Sequence, residues 1–101
     1  MTAKNPGHHD IKEHAVYFHE LWSGARTFEI RRDDRGYDVG HTVKICEWLP
    51  EAKIYTGRFV RGTITFLRRS GPIARGVDVP AGVLIFQFAE HGRGEFIEGA
   101  A

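Results

Sequence analysis

A chain of 101 residues, 42% hydrophobic and 27% charged, has the size and balance of one globular domain, which excludes disordered, fibrous and two-domain organisations. Its longest apolar run, residues 82–86, is too short to cross a bilayer, and no charged-then-apolar secretion pattern opens the chain. The single cysteine, Cys46, excludes an internal disulfide, so the expectation is a cytoplasmic protein, monomeric and away from membranes. A net charge of +1 hides an uneven distribution, because residues 26–75 hold eleven Lys and Arg against six Asp and Glu, a local +5. That suits an anionic partner at one patch, or else a solvated surface kept for solubility.

Residues 1–8 read as a flexible terminus and residues 10–13 as a short first strand. Over residues 14–22 the spacing predicts a helix with Ala15, Phe18, Leu21 and Trp22 on one side and His14, His19 and Glu20 on the other, stopped by Gly24. Residues 27–31 alternate as a strand, with Phe28 and Ile30 expected in the core and Thr27, Glu29 and Arg31 in a polar row. A charged turn follows at residues 33–36. Residues 42–48 form a second alternating stretch that turns Val43, Ile45 and Glu47 inward, and a carboxylate in a core register requires a partner.

Residues 49–52 break that strand, and a turn at residues 55–57 opens a long one over residues 58–68. There Val60, Gly62, Ile64 and Phe66 share a face opposite Arg61, Thr63 and Thr65. Gly62 marks a bulge or a close backbone approach. Residues 69–80 read as loop, residues 83–89 as a strand covered on both sides that closes the sheet, and residues 92–101 as a flexible, Gly-rich tail. The expected domain is residues 9–91, α+β and mostly β, a partly closed barrel with one or two helices packed against it.

The row Thr27, Glu29 and Arg31 sets a hydroxyl, a carboxylate and a guanidinium about 7 Å apart, suited to a planar polar ligand; a cross-strand ion pair on a solvated face is the plainer alternative. Tyr37, Trp48, Tyr55 and Phe59 lie among Arg31, Arg32, Arg35, Lys44 and Arg58, the pairing of stacking rings and phosphate-binding charge that single-stranded RNA or a nucleotide needs. Core packing is the competing role for those rings. His14 and His19 are five residues apart and no Cys-x-x-Cys or His-x-x-x-His occurs, so no metal site and no cofactor are expected. Ser23 and Ser70 lack an elbow motif, and Cys46 reads as a small buried hydrophobe.

His9-Asp10-Ile11-Lys12, Phe18, Gly24-Ala25-Arg26-Thr27-Phe28-Glu29-Ile30-Arg31, Asp34-Arg35, Val39-Gly40, Cys46-Glu47-Trp48 and Tyr55-Thr56-Gly57-Arg58 together resemble a family of small bacterial and phage proteins in the ASCH superfamily. The resemblance runs in order from about residue 9 to about residue 68. It implies a PUA-like mixed β-barrel with a cleft between helix and barrel that binds RNA or nucleotides. In the superfamily's motif Gly24 and Arg31 fill the ends, while Arg26 stands where a lysine is usual and Glu29 where a related acetylcytidine-hydrolysing branch has threonine. Arginine stays charged and binds rather than transferring protons, so that branch's catalytic set is not reproduced. The expected binding residues are Lys12, Arg26, Thr27, Glu29, Arg31, Arg35, Glu47, Trp48, Tyr55 and Arg61. Two alternatives remain open: an amidohydrolase acting on a modified nucleoside, with Lys12, Glu29 and Glu47 as catalytic candidates, and a protein-binding regulatory module.

Overall fold

The computed structural model describes residues 7–95. Strand β1 (His8–His14) leads directly into helix α1 (Ala15–Trp22), followed by β2 (Phe28–Arg32), β3 (Thr42–Leu49), β4 (Ile54–Arg68), the short β5 (Gly71–Ala74) and β6 (Val77–Val79), and β7 (Val83–Glu95). Five strands form one sheet in the order β1-β3-β4-β7-β2, and β5 pairs with β6 separately. β1 runs parallel to β3; every other pairing is antiparallel. α1 turns Phe18 and Leu21 into the core, and its end is stopped at Gly24, whose φ of +83° suits a residue without Cβ. The helix is too short to span a membrane.

The core is one cluster: Ile11 of β1, Phe18 and Leu21 of α1, Val43 and Ile45 of β3, Val60 and Ile64 of β4, Leu84, Phe86 and Phe88 of β7, and Tyr37 from the loop after β2. The inward alternation expected for β3 holds, with Glu47 buried beside Val43 and Ile45. Gly62 is both a bulge and a close approach. The register shifts between Arg61 and Gly62, and a Cβ there would lie 2.5 Å from Phe88 and 2.7 Å from the Ala89 carbonyl.

Several expectations are corrected. β2 is inverted: Glu29 is buried while Phe28 and Ile30 are exposed, because the inner face of this strand meets charged groups from β1 and from the turn after α1. A second register shift between Ile64 and Phe66 turns Phe66 outward and puts Leu67 against the core in its place. The stretch 69–80 contains the β5–β6 hairpin rather than loop alone. β7 alternates, with only one face fully buried, and lies inside the sheet between β4 and β2. It continues to Glu95, past the start of the expected tail; residues 1–6 and 96–101 lie outside the described residues. Tyr37 is a core ring, not a binding ring, stacked 4.6 Å from His9 and 5.3 Å from Phe86. Cys46 is half-buried on the outer face, and burial pushes its thiol above the ordinary range.

The sheet curls into a half-barrel that brings its two edge strands, β1 and β2, within side-chain reach. No backbone hydrogen bonds join them into a ladder. Instead Arg31 of β2 donates to the Lys12 carbonyl at 3.0 Å and Arg35 donates to the Asp10 carbonyl at 2.9 Å, which answers the free edge of β1. An edge strand left bare would offer these acceptors to another chain.

Candidate functional site

Four charged side chains close the gap between β1 and β2 as a ring. Arg26 Nη1 donates to Glu29 Oε2 at 2.7 Å, and Arg31 Nε donates to Glu29 Oε1 at 2.7 Å. Across the gap, Arg26 Nη2 donates to Glu13 Oε2 and Arg31 Nη2 to Glu13 Oε1, both at 2.8 Å. Each carboxylate is thus bridged by both guanidiniums, one charge-assisted hydrogen bond from each, which closes the four groups into a ring. Arg26 also bonds Glu20 and the carbonyls of Phe28 and Tyr17, which commits all five of its N–H groups.

The electrostatics follow from burial and pairing. Burial disfavours charge on Arg26, yet its bonds to Glu13, Glu29 and Glu20 outweigh this and hold the guanidinium above its ordinary value. Glu29 is 1% exposed, and burial, together with the nearby Glu13 charge, pushes its carboxyl up against the opposing pull of Arg31 and Arg26. Arg31 has three of its five N–H groups committed, leaving one on each Nη.

This ring floors a groove of about 640 Å³ along the free edge of β2. Its walls are Tyr17 of α1, 57% exposed, with Phe28 and Ile30, 43% and 59% exposed. The inversion of β2 therefore has a use. Its apolar residues become the sides of a cleft instead of core. Counting Glu20, the floor carries three carboxylates and two guanidiniums, one negative charge in excess.

Glu47, the second buried carboxylate, has a separate solution. Opposite it residues 56–58 of β4 have no register partner on β3, and Thr56 Oγ1 donates to Glu47 at 2.6 Å while Arg58 donates at 2.8 and 2.9 Å. Burial raises the Glu47 carboxyl, but these bonds prevail and hold it below the usual range. The Arg58 guanidinium also lies 5.1 Å from the Trp22 ring, and Arg93, 4.7 Å from the same ring, donates to the Trp22 carbonyl at 2.6 Å. Both contacts pin the end of α1 to the sheet.

The remaining expected residues lie elsewhere. Lys12 points to the outer face, its Nζ 3.9 Å from the Trp48 ring, and Tyr55 meets Trp48 edge-on at 4.8 Å. Arg61 stacks on Phe59 at 5.1 Å. Arg35 serves the β1 edge, and Thr27 contributes its carbonyl to the Phe88 amide. Arg26, Glu29 and Arg31 are thus together; Lys12, Trp48, Tyr55 and Arg61 form a different surface. Sequence reasoning missed Glu13, although alternation with the apolar Ile11 two residues earlier already assigns it to the inner face of β1.

Helix, groove and half-barrel define a small, mostly β domain with a charged clasp beneath an open cleft. Residues 8–78 match a domain of unknown function, DUF3850, and the chain belongs to that family. It is also 39% identical over 57 residues to a protein of Escherichia phage P2 described as an uncharacterized 12.9 kDa protein in the GpA 3′ region. The match covers 56% of this chain and 50% of the phage protein, so the chain spans about half of that relative's length. The ring residues all fall within 8–78.

Proposed function

We propose that this protein is an RNA- or nucleotide-binding domain of PUA-like, ASCH-type architecture whose groove receives a nucleobase. The observation that carries this reading is the composition of the groove: exposed Tyr17 and Phe28 rings over a floor of hydrogen-bonding groups held in place by one another. Rings of this kind stack on bases. Each Glu13 oxygen accepts one bond from the arginines and retains a lone pair for an exocyclic amine, and Arg31 retains two N–H groups for a base carbonyl or ring nitrogen, while the buried Glu29 holds both arginines from beneath. The negative excess of the floor favours an uncharged base over a phosphate. Because the carboxylates and guanidiniums of the ring hold one another in place, binding requires little ordering of these side chains.

The hydrolase alternative finds less support. The Lys12 amine rests on Trp48, on the outer face, and both Glu29 oxygens already accept from arginines. The test is calorimetric titration of nucleosides and of a short single-stranded oligoribonucleotide into wild type and Tyr17→Ala. Tyr17 is exposed, so its truncation leaves the fold intact. Loss of one stacking contact weakens binding about 5- to 100-fold. Equal affinity in the two proteins would remove the groove as the site.

A further inference from the structure

The outer face of β1, β3 and β4 carries a second organised surface, independent of the groove. Register and alternation place its side chains in rows across the three strands: His8, Thr42 and Thr63; Asp10, Lys44 and Arg61; Lys12, Cys46 and Phe59; His14, Trp48 and Tyr55. With strands about 4.8 Å apart and like-facing residues about 7 Å apart, the rows cover about 10 by 20 Å. Cations and rings interleave throughout. Lys12 lies over Trp48 at 3.9 Å, and Lys44 and Arg61 lie over Phe59 at 4.7 and 5.1 Å.

Two features separate this face from an ordinary charged surface. None of Lys12, Lys44 and Arg61 has a carboxylate partner among the described residues, whereas every guanidinium of the ring has several. The one acid in the rows, Asp10, is bonded to His8 at 2.8 Å. The neighbouring column is also cleared: Phe59 pairs with Gly94 and Arg61 with Gly92 of β7. A Cβ at Gly94 would lie 2.6 Å from the Phe59 ring, so the ring lies down on bare backbone. Depressions of about 240 and 200 Å³ flank Lys44 on this face.

We propose that this face binds single-stranded nucleic acid, with Lys12, Lys44 and Arg61 tracking phosphates and Phe59, Trp48 and Tyr55 stacking on bases. Unpaired cations attract a polyanion, and rings spaced between them match the alternation of phosphate and base along a single strand. An acidic peptide would satisfy the cations and leave the rings idle.

The test is fluorescence anisotropy of labelled 12-mers of oligouridine and oligodeoxythymidine, at 50 and 200 mM salt, with four proteins: wild type, Lys44→Glu/Arg61→Glu, Phe59→Ala and Tyr17→Ala. Three phosphate contacts predict a slope of log affinity against log salt of about −2 for wild type. The charge-reversal variant should lose at least about tenfold in affinity and flatten the slope by about 1.4. Phe59→Ala should lose about fivefold or more at unchanged slope. Circular dichroism checks that each variant is folded; the exposed cation sites keep the test decisive if Phe59→Ala unfolds. Wild type without affinity at 50 mM salt, or a charge-reversal variant indistinguishable from wild type, would overturn the proposal. Loss in Tyr17→Ala alone would sink this face and keep the groove; loss in the charge-reversal variant with Tyr17→Ala unaffected would do the reverse.

Discussion

The seam between β1 and β2 and the outer face of β1, β3 and β4 are both rich in arginine or lysine, yet they use charge in opposite ways. On the seam each guanidinium meets carboxylates at 2.7 to 2.8 Å, and Arg26 has no N–H left to offer. On the outer face the cations rest on aromatic rings and meet no acid among the described residues. Density of basic residues is therefore a poor guide to where a ligand sits. What separates a structural cation from a binding one is whether the fold already supplies its counter-charge, since a neutralised arginine gains little from an anion while an unpaired one gains the full attraction.

Removing one member of the seam is the largest blow to this contrast. Glu29→Ala removes the buried acceptor shared by two guanidiniums and should destabilise the fold by about 3–5 kcal/mol, because two charge-assisted hydrogen bonds are lost and a fully buried side chain is replaced by a void, although Glu13 still pairs with both arginines. The thermal midpoint should drop by more than about 10 °C. A midpoint within a degree or two of wild type would mean that the ring is not what closes the half-barrel.

Glu47 is an intermediate case, a buried carboxylate whose arginine partner is about one-third exposed, with side-chain accessibilities of 4% and 34%. Solvent screens that pair, so Glu47→Gln should cost about 1–2 kcal/mol in denaturant unfolding, less than the Glu29 change. An effect as large as that of Glu29→Ala would erase the distinction drawn between the two carboxylates.

A smaller effect comes from His9, whose Nε2 lies 3.0 Å from His41 Nδ1 beneath the loop after β2. Burial first, then the charges of His41, Arg35 and His8, hold its pKa below the ordinary 6.5. The folded state therefore binds fewer protons than the unfolded one over this range, and stability is fully present above pH 6.5 and declines as pH falls through the lower folded value. Thermal midpoints should fall from pH 7 towards pH 5.5, and His9→Gln should flatten that slope; a midpoint that rises on acidification would contradict the assignment.

Lys44→Ala and Arg61→Ala should change stability least, within about 0.5 kcal/mol in chemical denaturation, because neither group has an ionic partner to lose among the described residues. A cost above about 1 kcal/mol for either would show a structural role and weaken the contrast from the other side.

Much of this was legible in the chain. The alternation of residues 42–48 assigned Glu47 to the interior and demanded a partner, which Thr56 and Arg58 supply. Gly62 signalled both the bulge and the close approach. The reading of β2 had the two faces right and their direction wrong. A five-residue strand with two apolar side chains looks amphipathic either way round, and only Glu13 and Arg26, far from Glu29 or outside the strand, make the charged face the buried one. Phe66 was misplaced for a related reason: one bulge reverses all alternation beyond it.

The sequence by itself determined the periodicities, and through them which residues share a face between bulges, where α1 stops, and that a core-register carboxylate needs an answering charge. These are properties of neighbours along the chain, set by the two-residue and 3.6-residue repeats of backbone geometry. Which face is buried, and which cations are already spent, was decided by tertiary structure alone. Curling the sheet brings β1 to β2 and sets Glu13 against Arg26 and Arg31, and charge compensation depends on distance through space rather than on separation in sequence.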